Sequence, residues 1–134
     1  MLYLITEIVN TLVMKLHIIQ AEYGDCLILE SGVGKNSTTV LIDGGPYQTF
    51  EKYLKPTLQK LPINGKLDLV VLSHIDNDHI IGLLDLLEEI KAQREKGTKE
   101  LVKISKFDSP SIFSNLTDMS INQYKNCEIE NNII

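Results

Sequence analysis

The chain has 134 residues, of which 43% are hydrophobic and 23% charged, and a net charge of −5. That is one domain's worth of polypeptide or less, with enough apolar side chain to build a core. The acidic balance argues against broad electrostatic binding of nucleic acid, and two cysteines far apart (Cys26 and Cys127) argue against a disulfide framework, so a reducing, cytoplasmic setting is expected.

Met1 to Val13 (MLYLITEIVNTLV) is apolar but has no basic leader, contains Glu7 and offers no small-residue cleavage site. It does not read as a signal peptide, and it is shorter than the about 20 apolar residues a bilayer requires. Residues 1–13 are therefore expected to be an extension, an artefact of start-site choice rather than part of the fold, and no membrane partner is expected. From Met14 the order is strand, hairpin, strand, helix, strand, helix. Lys15 to Glu22 is rich in β-formers, and Asp25 to Glu30 and Thr38 to Ile42 flank a glycine-bearing turn over Ser31 to Ser37. Gly34-Lys35 in that turn does not make a phosphate loop, because Leu29 and Asn36 stand where glycine and Ser or Thr are required. Cys26, in an apolar strand, reads as a small buried hydrophobe. Gln48 to Leu61 has helical spacing, with Pro56 predicting a kink or a split. Leu67 to Leu72 reads as a buried strand. Ile80, Leu83, Leu84, Leu87 and Ile90 mark the core face of a second helix, and Gly97 is its expected stop. Leu101 to Phe107 suggests a further strand. Residues 108–134 are rich in Ser and Asn and read as loop, weak edge strand or tail.

The chemistry lies in His74-Ile75-Asp76-Asn77-Asp78-His79, at the junction between the apolar strand and the second helix. Open α/β sheets place their sites in the crevice at the carboxyl ends of strands. His74, Asp76, Asp78 and His79 are candidate metal ligands. Imidazole with carboxylate suits zinc, with manganese or iron as alternatives, whereas calcium and magnesium favour oxygen alone. In extended backbone His74 and Asp76 leave the same side of the chain, while Asp78 and His79 diverge. Each acid taken singly is better explained by capping of the following helix. Two histidines flanking two acids at a strand-to-helix junction favour the metal.

Ser73-His74-Ile75-Asp76-Asn77-Asp78-His79-Ile80-Ile81-Gly82 resembles the metal-binding signature of the metallo-β-lactamase superfamily, His-x-His-x-Asp-His. His74, Asp78 and His79 match it, and Asp76 stands where most members carry a second His. That variant is similar to the group related to bacterial DNA-uptake competence proteins. Tyr23 to Ile28, with its Gly24-Asp25, and Leu41 to Gly45, ending in Asp43-Gly44-Gly45, resemble two upstream motifs of that group. The resemblance implies an α/β (α+β) fold, part of an αββα sandwich, with a mixed sheet, a hairpin and helices on the outer face. It implies one or two metal ions that activate water for hydrolysis. On that pattern His74 and Asp76 serve a first metal, Asp78 and His79 a second, Asp78 orients the water, and Asp43 supports the ligand loop.

Ligand number limits this expectation. The chain has three histidines, and only His17 lies outside the motif. The family's later ligands have no counterpart, and neither Asp108 nor Asp118 sits in a recognisable motif. A catalytic site needs about three protein ligands per metal and an open position. The expected organisation is thus an N-terminal half of the domain over 14–107 and a polar continuation over 108–134. Three functions compete. One is a mononuclear hydrolase, one a truncated and inactive or weak hydrolase, and one a non-enzymatic binding module that kept the ligand loop. Ligand number favours the second. The expected partners are a small-molecule or nucleic-acid phosphodiester and, for a half-domain with bare strand faces, further copies of itself.

Overall fold

The computed structural model describes residues 13–109. Within them the chain forms β1 (Met14–Ile18), β2 (Leu27–Ser31), β3 (Thr38–Ile42) and a π-helical turn (Phe50–Leu54) that runs into α1 (Lys55–Lys60). Then follow β4 (Lys66–Leu67), β5 (Leu69–Val71), α2 (Asn77–Glu95), β6 (Lys103–Ile104) and β7 (Phe107–Asp108). Five strands make one mixed sheet in the order β1-β2-β3-β5-β7, and β4 pairs with β6 apart from it. β1, β2 and β3 form an antiparallel meander. β5 lies parallel to β3, and β7 parallel to β5, so α1 and α2 are the crossovers of two successive β-α-β units. This is the α/β architecture with a mixed sheet, hairpin and helices that the sequence led us to expect.

Strand register divides the sheet into two unlike faces. One transverse row runs His17, Ile28, Leu41, Val70, Phe107. Ile28, Leu41 and Val70 are at most 1% exposed and pack in one cluster with Phe50, Leu54, Leu58, Leu83, Leu86, Leu87 and Ile90 from the helical segments. The rows on the other face run Leu16, Leu29, Val40, Leu69 and Ile18, Leu27, Ile42, Val71, Asp108. They are apolar almost throughout, yet Leu16 and Ile18 are 57% and 77% exposed, and the residues on β2, β3 and β5 are only half-buried.

Several elements differ from the sequence reading, for identifiable reasons. The apolar run Leu67 to Leu72 is two strands in two sheets, broken at Asp68. There the backbone N–H donates to Thr39 O at 2.9 Å while the carboxylate accepts from Thr39 N at 2.8 Å. The helical segment over Gln48 to Leu61, by contrast, divides next to Pro56 as the proline led us to expect. Proline lacks the N–H of a regular turn, so the chain takes a wider turn in which Lys55 N donates to Phe50 O, and the Thr57 hydroxyl satisfies Tyr53 O at 2.7 Å. On α2 Leu83, Leu87 and Ile90 are buried as expected, but Leu86 joins them where Leu84 was expected, and Ile80 and Leu84 are half-buried. The helix ends as expected: Gly97, at φ +67°, donates to Arg94 O and Thr98 to Gln93 O. Leu101 to Phe107 holds β6 and the start of β7 rather than one strand. The expectations for residues 1–12 and 110–134, including Asp118 and Cys127, fall outside the described residues.

Candidate metal centre

Four segments meet at the carboxyl ends of β3 and β5: the loop bearing Asp25 before β2, Asp43 at the end of β3, Ser73-His74 after β5, and the first turn of α2 with Asp78 and His79. Glycine makes the meeting possible. A Cβ on Gly82 would lie 1.9 Å from Gly44 O, one on Gly44 would lie 2.2 Å from Leu83 N, and one on Gly24 would lie 1.9 Å from Asp78 O. In the space so left, Gly44 N donates to His79 O at 2.7 Å and Gly82 N to Gly45 O at 3.0 Å. The Gly-Asp and Asp-Gly-Gly motifs are thus the backing against which the ligand turn is laid.

Asp43 is the hub. Its side chain is 3% exposed and its backbone is left-handed at φ +56°, a conformation Asp tolerates better than most residues. It accepts hydrogen bonds from Ser73 N at 2.7 Å, Ser73 Oγ at 2.5 Å and His79 Nδ1 at 2.9 Å. A carboxylate only accepts, so His79 must carry its proton on Nδ1 and leave Nε2 free. The single Ser73 hydroxyl proton goes to Asp43. Ser73 Oγ therefore accepts from His74 Nδ1, 2.9 Å away, and His74 too is left with a free Nε2. One carboxylate, directly and through one serine, sets the tautomer of both imidazoles, as partners behind metal ligands do.

The two rings lie 3.7 Å apart between centroids at 48°, and Asp78 Oδ2 is 3.3 Å from His79 Nε2. His74, Asp78 and His79 each present a ligand atom within 4.8 Å of the others. Asp78 and His79, adjacent in sequence, converge here because both sit in the first helical turn. Asp76 stands differently: its side chain is 73% exposed, 3.5 Å from His74 Nε2, and it occupies the N-cap position of α2 without a side-chain capping bond. Asp25, to which the sequence reading gave no site role, forms a second close group with Asp43 and His79, its Oδ2 3.7 Å from His79 Nδ1. Ser73 was likewise seen only as a neighbour of the motif. For both, the signal was adjacency to a motif, and what each touches depends on contacts far along the chain.

The electrostatics favour a cation. Burial works to lower the pKa of His79, but the hydrogen bond and charge of Asp43, with the charges of Asp78 and Asp25, outweigh it and raise it. Asp43, Asp78 and Asp25 converge on the buried His79, and His79 with the half-exposed His74 and the Asp78 carboxylate is a donor set that fits a zinc-like ion. Cys26 behind the site takes no part: it is 1% exposed, and burial, then the charge of Asp43, pushes its thiol up to about 12. His17 is also apart, bonded through Nε2 to Glu30 at 2.7 Å. Asp108 lies in β7 with its backbone O accepting from Leu72 N.

Fold and site together define a class: a mixed α/β domain that gathers imidazole and carboxylate at the carboxyl ends of adjacent parallel strands. A model of the metallo-beta-lactamase superfamily matches residues 20–119, and the chain belongs to that superfamily. No curated protein and no solved structure matches it. Among the described residues no helix is long and apolar enough to cross a membrane.

Proposed function

We propose that this chain is a metal-dependent hydrolase unit in which His74, Asp78 and His79 hold one zinc, manganese or iron ion, with Asp76 as a further ligand from the exposed side. The observation that carries this reading is the engagement of both Nδ1 atoms, by Ser73 and Asp43, which leaves each Nε2 facing a carboxylate, His74 Nε2 3.5 Å from Asp76 Oδ2 and His79 Nε2 3.3 Å from Asp78 Oδ2. A bound ion of this kind acidifies water and polarises the bond to be cut. Asp78, half-buried at the mouth, orients the attacking water through its second oxygen. Asp43 keeps both rings in place, and Asp25 adds negative charge behind His79.

A phosphodiester is the favoured substrate, with other esters or amides as alternatives. The similarity of the ligand turn and of Asp43-Gly44-Gly45 to the competence-protein group supports this. So do Tyr23 and Tyr47, about three-quarters exposed on the loops that carry Asp25 and follow Asp43, since exposed rings suit base stacking. Among the described residues the gathered ligands are fewer than a binuclear site requires, and slow turnover is the expected outcome. The test is hydrolysis of an activated phosphodiester by the zinc- or manganese-loaded protein, with Asp78→Ala beside it. A rate above that of free metal, lost in the variant, supports the reading. Rates equal to free metal in both reject catalysis by this chain and leave the binding-module reading.

A further inference from the structure

We propose that the end of the domain opposite the metal centre is a nucleic-acid anchor, which holds the phosphates of a strand through exposed lysines. Strand direction carries the first argument. β1, β3, β5 and β7 all run the same way, since β1 and β3 each lie antiparallel to β2 and the other two follow β3 in parallel. The metal centre occupies their carboxyl ends. Lys15 lies at the start of β1, Lys35 in the turn between β2 and β3, and Lys106 just before β7; Lys66 and Lys103 open the parallel pair β4 and β6. All five therefore lie at the other end. Both helices run back to it, α1 ending on Lys60 and α2 on Arg94, with Lys96 and Lys99 following. Carboxylates segregate the opposite way. Glu22, Asp25, Asp43, Asp76 and Asp78 lie at the metal end, on segments without a Lys or Arg. The net charge of −5 conceals this division.

The carboxylates at the basic end already have partners: Glu30 pairs with His17 at 2.7 Å, Asp68 with Lys66 at 2.7 Å, Glu95 with Lys91 at 3.8 Å and Glu100 with Arg94 at 3.0 Å. The remaining lysines there are exposed, and no described carboxylate pairs with them. Lys66 and Lys103 are direct partners in the β4–β6 register, a juxtaposition of like charges that an anion lying across them relieves. A groove of about 640 Å³ opens at the same end, lined by Lys15, Lys35, Ser37 and Asn64 among others. Its one carboxylate is Glu30, which His17 holds. Composition selects the partner. Protein interfaces gather aromatic rings and arginine and are poor in lysine. This end has one arginine among its lysines, and the exposed large apolar side chains there, Val13, Met14 and Val33, include no ring. Ammonium groups act on phosphate as point charges and read no base, so the contact is sequence-independent. The anchor lies about 28 Å from the metal centre, the length of the 19 residues of α2. It is independent of metal binding.

Fluorescence anisotropy of a labelled oligothymidylate, titrated with the full chain over a range of salt, tests this on the parent, Lys35→Glu, Lys103→Glu and Lys52→Glu. All three lysines are exposed, and Lys52, on the π-helical turn, lies outside the basic end and serves as the control of equal charge change. EDTA is present throughout, so that binding at the metal centre does not contribute. The parent is expected to bind with an affinity that falls as salt rises. Lys35→Glu and Lys103→Glu, with circular dichroism unchanged, should each weaken binding by roughly fivefold or more and lower the salt slope by about 1, while Lys52→Glu leaves both as in the parent. A parent that does not bind, or three variants that weaken binding alike, overturns the proposal. Tighter binding of polyglutamate or of phosphatidylserine vesicles than of the oligonucleotide also overturns it, and makes this end a protein or a membrane contact instead.

Discussion

Gly82→Ala sets two effects of opposite sign against each other. Gly82 lies inside α2, where alanine is favoured over glycine by about 1 kcal/mol from helix propensity alone. Against this, the added Cβ would sit 1.9 Å from Gly44 O, so the Asp43-Gly44-Gly45 segment and the first turn of α2 must part by more than an ångström. Parting them breaks the bonds Gly44 N to His79 O and Gly82 N to Gly45 O, each worth about 1 kcal/mol. Overpacking against backbone, which cannot rotate away, adds roughly 1–3 kcal/mol. The net is a destabilisation of roughly 2–4 kcal/mol, or roughly 10–20 °C in thermal midpoint for a domain of this size. The assay is thermal and urea unfolding followed by circular dichroism, with Gly97→Ala as the control. Gly97 has φ +67° but nothing within 4 Å of the added methyl, so it costs only the left-handed backbone term, about 1 kcal/mol. A midpoint for Gly82→Ala equal to or above that of the parent would refute the close backbone packing.

Asp43→Asn places an amide donor where three donors already point, and Ser73→Ala cuts the path from Asp43 to His74. Each should weaken zinc binding by about 10–100-fold, as loss of partners behind metal ligands does; calorimetric titration showing unchanged affinity would mean the rings need no such support. Asp68→Asn concerns the break between β4 and β5. The hydrogen bond from Lys66, with help from Thr39 N and against a desolvation cost, lowers the Asp68 pKa in the folded state. A depressed folded pKa stabilises above the unfolded value of about 3.9, and that stability is lost as pH falls through the folded value. Urea midpoints of parent and variant should differ by roughly 1 kcal/mol near neutral pH and converge below about pH 3. A gap that persists in acid would show that the carboxylate's charge is not what holds Thr39.

The parts visible in the sequence are those that local pattern encodes. β3 spans Thr38–Ile42 as read, α2 begins at the motif and stops at Gly97, and the family was named by residues that the structure packs together. What was hidden is non-local. Periodicity does not reveal that Asp68 pairs with Thr39, 29 positions away, and so breaks an apolar run in two. Nor does it reveal that Asp43 reaches Ser73 and His79, 30 and 36 positions away, and through them fixes two tautomers. Leu86 rather than Leu84 is buried because α2 is rotated by its backbone contact with Gly44, a constraint absent from the helix's own sequence. In β1 the alternation was present, but which side of it shares a face with the buried Ile28 and Leu41 depended on the register with β2.

Zinc titration with elemental analysis, on the parent and on the His74→Ala/His79→Ala double variant, is the most direct test of the metal centre. One equivalent per folded chain in the parent and none in the double variant is the predicted result, because both imidazoles contribute to the group that His74, Asp78 and His79 form. A parent that retains no metal, or a double variant that retains as much as the parent, would contradict it.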